Sequence, residues 1–307
     1  LVLKSIEFIF RRSTQLRKSQ TMLYAITLDV GGSSVKSGVV TPDGQIVGST
    51  RTTPIDSSAS ADAILNTFTA IINSHIQQHG LDELAGVALG FPGPFDYEAG
   101  ISRITGLEKY EALYGINIKA GLASRLNLGS RPLRFRNDAE AAIMGECRYG
   151  AGKNYQRIIG VTLGTGFGSA FVANGVPQIS GDNVPPNGWL YAEMWRGQRA
   201  DDIFSIRGLQ ARLGSDDLKQ AADQARHGDE TTQQVFQQFG SDLGDFLLPY
   251  IRSFQAEVVL TLGGIAGAFD LFGSHLEAAT GIPVRPGEHG ADAALLGAAD
   301  LIFSRSD

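Results

Sequence analysis

The chain has 307 residues, 43% of them hydrophobic and 19% charged, which suits a globular protein with a sizeable core and, by length, two domains. Its formal net charge of −6 argues against nucleic-acid binding over the whole surface. The single cysteine, Cys147, excludes an internal disulfide framework and a thiolate zinc cluster built from one chain, and no apolar run is long enough to span a bilayer. The cytoplasm is the expected compartment. His75 and His79 have i,i+4 spacing but sit in a predicted helix tail without the H-E-x-x-H pattern, so they are not read as metal ligands.

In chain order, residues 1–21 carry five basic residues against the single Glu7, a net +4 that leaves −10 for residues 22–307. This segment is read as a leader or tag-like tail ahead of Met22, with a basic targeting peptide or a short helix as alternatives. Tyr24–Leu28 and Ser37–Val40 are predicted to form a hairpin, followed by a Thr41–Gly44 turn and a third strand over Gln45–Thr53. A helix capped by Ser58 or Ser60 runs to about Gln78 and ends at Gly80. The buried strand Leu84–Leu89 feeds the rigid loop Gly90–Asp96, read equally as a ligand loop at a strand's C-terminal end or as a structural turn.

The stretch Ser102–Tyr114 is irregular, and Asn117–Leu126 is predicted helical. Leu133–Arg136 reads as a strand that feeds Asn137-Asp138 and a helix over Ala139–Tyr149. Asp138 fits the N-cap of that helix, and a carboxylate on a rigid sheet edge is also where a general base belongs. Asn174–Asn187 reads as loop. The long helix from about Glu230 to Phe254 carries an aromatic stripe that belongs to the core, with a bend expected at Pro249. Val258–Leu262 is a strand ending in Gly263-Gly264, Ala268–Ala279 is helical, and Ala291–Phe303 is a small-residue helix suited to close packing.

Two stretches share one plan. Ile159–Val172 holds an apolar run, three glycines in five residues (Gly164, Gly166 and Gly168), and a second apolar run. Ile26–Val40 repeats it with Asp29 at the end of the first strand and Gly31-Gly32-Ser33 at the turn. Glycines this dense cost backbone entropy and add no packing, so they point to hairpin tips whose amides approach a ligand closely, phosphate above all. Neither tip is a P-loop or a dinucleotide fingerprint.

Five segments in order resemble the ROK family of sugar kinases, within the actin-like ATPase superfamily, over essentially all of residues 23–303. Leu28–Val40 and Val161–Phe171 resemble the family's two phosphate loops. Asn137–Glu146 and His289–Ala299 resemble its two connecting helices, and Leu260–Phe269 its adenosine segment. The wording of Leu163–Ser169 and of the Gly90–Asp96 loop is closest to the glucokinase and polyphosphate-glucokinase branch.

The resemblance implies an α/β, two-lobed actin-like ATPase (ribonuclease H-like) fold with mixed sheets and a cleft between lobes. The small N-terminal lobe would span 22–136, with the C-terminal helix 291–307 packing back on it, and the large lobe 137–290. It also implies phosphoryl transfer from ATP to a hexose hydroxyl by a homodimer. Asp138 would be the base, with Asn137, Gly93, Glu193 and Arg196 around the sugar. Gly31, Gly32, Ser33, Gly164, Thr165, Gly166, Gly263 and Gly264 would hold the nucleotide, and Asp29 would hold Mg²⁺ through water. Lys36 is read either as an offset to phosphate charge or as a surface lysine.

Two departures from the family pattern stand out. The cysteine cluster that binds zinc in many members is missing, so no zinc is expected. Where Glu-x-x-His would fall, the chain reads Glu193-Met194-Trp195-Arg196, exchanging an imidazole that can donate and accept for a donor of fixed charge. That change is compatible with an acidic or altered sugar, or with a different loop alignment; Asp201 or Asp202 is a separate candidate for a further sugar carboxylate. Polyphosphate as donor is one alternative, though a long polyanion calls for a basic groove. A non-catalytic sugar sensor is another, disfavoured by the short stretch ahead of Met22 and by Asp138. A structural filament protein is weaker still, since Asn137, Asp138 and Glu193 would have no task.

Overall fold

The computed structural model describes residues 23–304, so the leader reading of residues 1–21 lies outside it. The chain opens with the hairpin β1 (Tyr24–Val30) and β2 (Ser34–Val40), then β3 (Arg51–Pro54). The third strand is shorter than predicted: Gly48 adopts φ 75°, which breaks the extended run and leaves a single bridge between Val40 and Ile46 ahead of β3. Helix α1 (Ala61–His79) is capped by Ser60, whose side chain accepts from the Ala63 amide, and it buries Ile64, Leu65, Phe68, Ile71 and Ile72. Strand β4 (Leu84–Phe91) follows, then the short pair β5 (Phe95–Asp96) and β6 (Ile101–Ser102), helix α2 (Ile118–Ala123) and strand β7 (Leu133–Asn137).

Helix α3 (Asp138–Tyr149) leads out of this first unit into β8 (Arg157–Leu163), β9 (Phe167–Ala173) and β10 (Val176–Gln178). Strand β10 lies in the stretch expected to be loop. It tolerates Pro177 because it forms the outer edge of its sheet, where one face of the backbone needs no partner. A two-stranded ribbon, β11 (Met194–Trp195) and β12 (Gln198–Arg199), precedes three helices that periodicity did not separate: α4 (Ala200–Phe204), α5 (Ile206–Leu213) and α6 (Leu218–Arg226). Helix α7 (Glu230–Phe254) runs through Pro249, and β13 (Val258–Leu262), α8 (Phe269–Thr280), β14 (Val284–Pro286) and α9 (Ala293–Phe303) complete the chain.

The two main sheets have the same topology. The first runs β3-β2-β1-β4-β7 and the second β10-β9-β8-β13-β14. In each, the first three strands pair antiparallel and the last two join parallel. Central strands β4 and β13 are apolar runs buried on both faces, as interior parallel strands must be. The aromatic stripe of α7 is core: Phe236, Phe239, Phe246 and Phe254 pack with Phe167, Phe171, Phe204 and Phe272 beneath the second sheet. Among the described residues, no helix is long and apolar enough to cross a membrane.

The two units meet where α3 crosses α9, which packs back on β1, β2, β4 and β7. The crossing is made of backbone: a Cβ on Gly297 would lie 1.7 Å from the Ala141 carbonyl oxygen, and one on Gly145 would lie 2.0 Å from that of Ala293. Arg136, buried at the end of β7, donates to the Gly297 carbonyl (2.7 Å) and pairs with Asp300 (3.3 Å) and Glu140 (3.1 Å). Buried Glu146 accepts the amides of Ala151 (3.1 Å) and His289 (2.7 Å), tying the far end of α3 to the segment before α9. A Gly297→Ala variant should therefore lose about 3 kcal/mol through forced helix separation, whereas Gly267→Ala, with open space around it, should stay within about 0.5 kcal/mol of wild type. Thermal unfolding of both variants checks this, and equal midpoints would refute the crossing as a constraint.

Candidate active site

Asp138 stands at the junction of β7 and α3. The sequence suggests it as the helix N-cap, and the structure corrects this by one residue. Asn137, with extended backbone, is the cap, and its Oδ1 accepts the Glu140 amide at 3.1 Å. Asp138 becomes the first helical residue, its Oδ1 accepting only the neighbouring Ala139 amide at 2.9 Å. The carboxylate is thereby largely released from capping while it stays at the positive end of α3. Gly90, near the end of β4, packs against this helix start: a Cβ there would sit at ordinary contact distance, 3.7 Å from Asp138 Cα and 3.5 Å from Ala141 Cβ.

Asp29, at the end of β1, is the second acid of the site. Its carboxyl is pushed from 3.8 up to about 6, first by burial and then by the negative charge of Asp138, with Lys36 opposing. Asp138 is also raised by burial, against the pull of the Ala139 amide, of Lys109 and of the Asn137 side chain. The negative charge of Asp138, which raises the proton affinity of Asp29, is a field that a cation would relieve. Among the described residues no three His, Cys, Asp or Glu side chains converge on one point. A hard cation at Asp29 would thus complete its shell with water and phosphate oxygens, which fits magnesium.

The hairpin tips are built as expected. In the first, the Gly31 amide closes the turn on the Ser34 carbonyl (3.0 Å), leaving those of Gly32 and Ser33 exposed without a backbone acceptor among the described residues. In the second, the Gly164 amide closes on the Gly166 carbonyl (3.1 Å), leaving Thr165 and Gly166 exposed in the same way. The Phe167 amide is taken by Asp201 (2.7 Å), whose other oxygen pairs with Arg207 (2.9 Å). Gly263, at φ 90°, sits against this tip: a Cβ there would lie 2.6 Å from the Leu163 carbonyl oxygen, so only glycine brings the β13 end so close. Gly264 follows beside Ile206, whose amide donates to the Gly164 carbonyl at 2.7 Å.

On the side of Asn137, the structure gathers residues that the sequence did not single out. A Cβ on Gly93 would lie 3.1 Å from the Tyr97 hydroxyl, 3.8 Å from the Trp189 ring and 3.9 Å from the Asn137 amide nitrogen. Asn137 Nδ2 donates to the Tyr97 hydroxyl at 3.1 Å, and Trp189 lies 6.0 Å from the Tyr191 ring. Glu193 and Arg196 both contact α7. Glu193 accepts from the Tyr250 hydroxyl at 3.1 Å. Arg196 lies on the Trp195 ring at 4.0 Å and pairs with Asp242 (3.1 Å) and Asp245 (3.6 Å). Lys36 pairs with Asp292 at 2.6 Å. The i,i+4 histidines belong to the core: His75 is buried against the Ser37 hydroxyl at 3.0 Å and stacks on His79.

Because the fold prefers Asp29 protonated, that group's stabilisation is complete below about pH 4 and is lost as the pH rises through about 6. Asp29→Asn should remove this loss, so the ligand-free variant should gain on wild type by on the order of 2 kcal/mol between about pH 4.5 and about pH 7.5. Unfolding curves of both proteins at the two pH values measure it. A stability difference that does not grow with pH would refute the burial of Asp29 beside Asp138.

A glucokinase of Thermotoga maritima is 24% identical over 323 aligned residues, covering 92% of this chain and 98% of its own. A polyphosphate glucokinase of Mycobacterium leprae is 33% identical over 150 residues, 48% of this chain and 43% of its own. The crystal structure of a Cytophaga hutchinsonii protein superposes with a TM-score of 0.79 at 27% identity, covering 92% of this chain and all of that one. The two-lobed architecture is the actin-like ATPase fold. The ROK family signature matches residues 25–305, and the chain belongs to the ROK family.

Proposed function

We propose that the protein is a sugar kinase that transfers a phosphoryl group from ATP to a hexose hydroxyl, in the manner of glucokinase. The observation that carries this reading is the setting of Asp138: a partly buried carboxylate at a helix start, close enough to a second acid to raise it, in a chain with two glycine tips that carry unused amides. Phosphoryl transfer asks a protein for positioning, charge neutralisation and one base, and little covalent chemistry. In this reading Asp138 accepts the proton of the attacking hydroxyl, and Asn137 bonds a neighbouring hydroxyl while Tyr97 fixes its amide. The amides of Gly32, Ser33, Thr165 and Gly166 hold the phosphates, with Gly263 and Gly264 bordering the nucleotide. Bound magnesium would supply charge neutralisation to the phosphate oxygens, with Asp29 orienting it through water.

The acceptor side favours a neutral sugar. The charge that would attract a sugar acid, Arg196, is matched by Asp242 and Asp245. The Trp189 ring beside Gly93 instead offers an apolar wall, of the kind small-ligand pockets use around a few polar groups. Polyphosphate is kept as a second donor because the Mycobacterium leprae relative is a polyphosphate glucokinase. The family resemblance further supports a cytoplasmic homodimer.

A coupled assay with Mg²⁺ and ATP, or Mg²⁺ and polyphosphate, across glucose, mannose, fructose, amino sugars and sugar acids tests the reading. Turnover of a neutral hexose is expected, with a drop of about 10³-fold or more in Asp138→Ala at unchanged thermal stability. Near-normal turnover in that variant would remove Asp138 as the base. Silence of the wild type on every sugar would overturn the kinase reading.

A further inference from the structure

The segment between β6 and α2 looks irregular in sequence, yet it is among the most constrained parts of the small lobe. Glu108 and Tyr110 both adopt left-handed backbone, at φ 56° and φ 58°. Non-glycine residues rarely take this conformation unless the surroundings hold them there. Lys109 lies between them. The restraint comes from both sides. The fully buried Tyr110 ring packs on Phe91, its hydroxyl donates to the Gly31 carbonyl at 2.5 Å, and its amide donates to the Ser57 carbonyl at 2.8 Å. On the other side, Glu111 accepts the amides of Leu107 (3.1 Å) and Glu108 (3.2 Å).

This strap holds Lys109 over the first hairpin tip. Its Cδ lies 3.6 Å from the position a Cβ would take on Gly32, so its stem covers the glycine whose amide is unused. Its charge reaches Asp138, where it opposes the effect of burial. Of the two lysines near this tip, Lys36 is occupied by Asp292 at 2.6 Å, whereas Lys109 has no carboxylate within ion-pair distance among the described residues. A half-buried ammonium without a counter-charge, held between an open amide tip and a carboxylate base, is positioned for an anion.

We propose that Lys109 is a further catalytic residue, whose ammonium contacts the transferring phosphoryl group between the Gly31–Ser33 tip and Asp138. The assignment rests on the kinase reading above. In the step, the sugar oxygen forms its bond to the terminal phosphorus as the bond to the bridging oxygen of ADP breaks. The hydroxyl proton passes to Asp138, and Lys109 exchanges no proton. It offsets the charge on the equatorial phosphoryl oxygens and, before the step, draws the terminal phosphate to the small-lobe side.

The test compares wild type with Lys109→Met and Lys109→Arg in two measurements: kcat with Mg²⁺-ATP and the best sugar, and calorimetric affinities for ADP and for the non-hydrolysable analogue AMPPNP. Lys109→Met should lose about 10²-fold in kcat. Its affinity for AMPPNP should fall by about tenfold while that for ADP holds, because only the former carries the contacted phosphate. Lys109→Arg should recover most of both. A Lys109→Met enzyme with unchanged kcat, or one whose kcat falls while the AMPPNP-to-ADP ratio stays as in wild type, overturns the assignment. A wild type silent on every sugar whose ratio still collapses in Lys109→Met would sink the kinase reading and leave the phosphate contact standing.

Discussion

The site depends on two helices that touch through their backbones. Gly145 on α3 and Gly297 on α9 leave no room for a single methyl group at the crossing. Buried Arg136 ties the same contact together by pairing with Glu140 and with buried Asp300. Such a network adds little net stability but strongly penalises any arrangement that separates its members. The start of α3 carries Asp138, so the crossing that joins the two units also sets where that carboxylate stands. Gly168 brings β9 up to that same helix start, where a Cβ would lie 2.4 Å from Ala139 Cβ. The second sheet is thereby registered against the residue next to Asp138.

Around that frame, charge is distributed with few spare ions. Asp29 and Asp138 repel, Lys36 is paired with Asp292, and Lys109 reaches into the field from a strained strap. A partly buried site with two acids and one unmatched ammonium favours a ligand that brings both a cation and an anion, as a magnesium nucleotide does. The amides left open at both tips add donors at no cost in side-chain ordering.

The group around Gly93 follows a different logic. Glu193 and Arg196 serve α7 through Tyr250, Asp242 and Asp245. The group facing Gly93 consists of the Asn137 amide, the Tyr97 hydroxyl and the Trp189 ring. Aromatic and amide groups recognise shape and the direction of hydroxyls and contribute no fixed charge.

Much of this was legible in the chain itself. The paired hairpins, the apolar β4 and β13 runs, the core stripe of α7 and the strand–Asn-Asp–helix junction are local patterns, set by periodicity, turn chemistry and capping, and each formed where its residues called for it. Local pattern could not choose between Asn137 and Asp138 as the cap, because both side chains can accept an amide and the backbone at Asn137 decides. Nor could it reveal Lys109, Tyr110 or Trp189, which come from irregular stretches and gain their place from contacts across many residues of chain, such as the Tyr110 hydroxyl on the Gly31 carbonyl. Arg196 shows the same limit from the other side: by spacing it falls in a sugar motif, but Asp242 and Asp245 on α7 hold its charge. Sequence determined the elements and the chemistry available at their ends, because those depend on neighbours a few residues away. Only the tertiary structure decided which ends meet, because a side chain's partner is set by packing between distant segments.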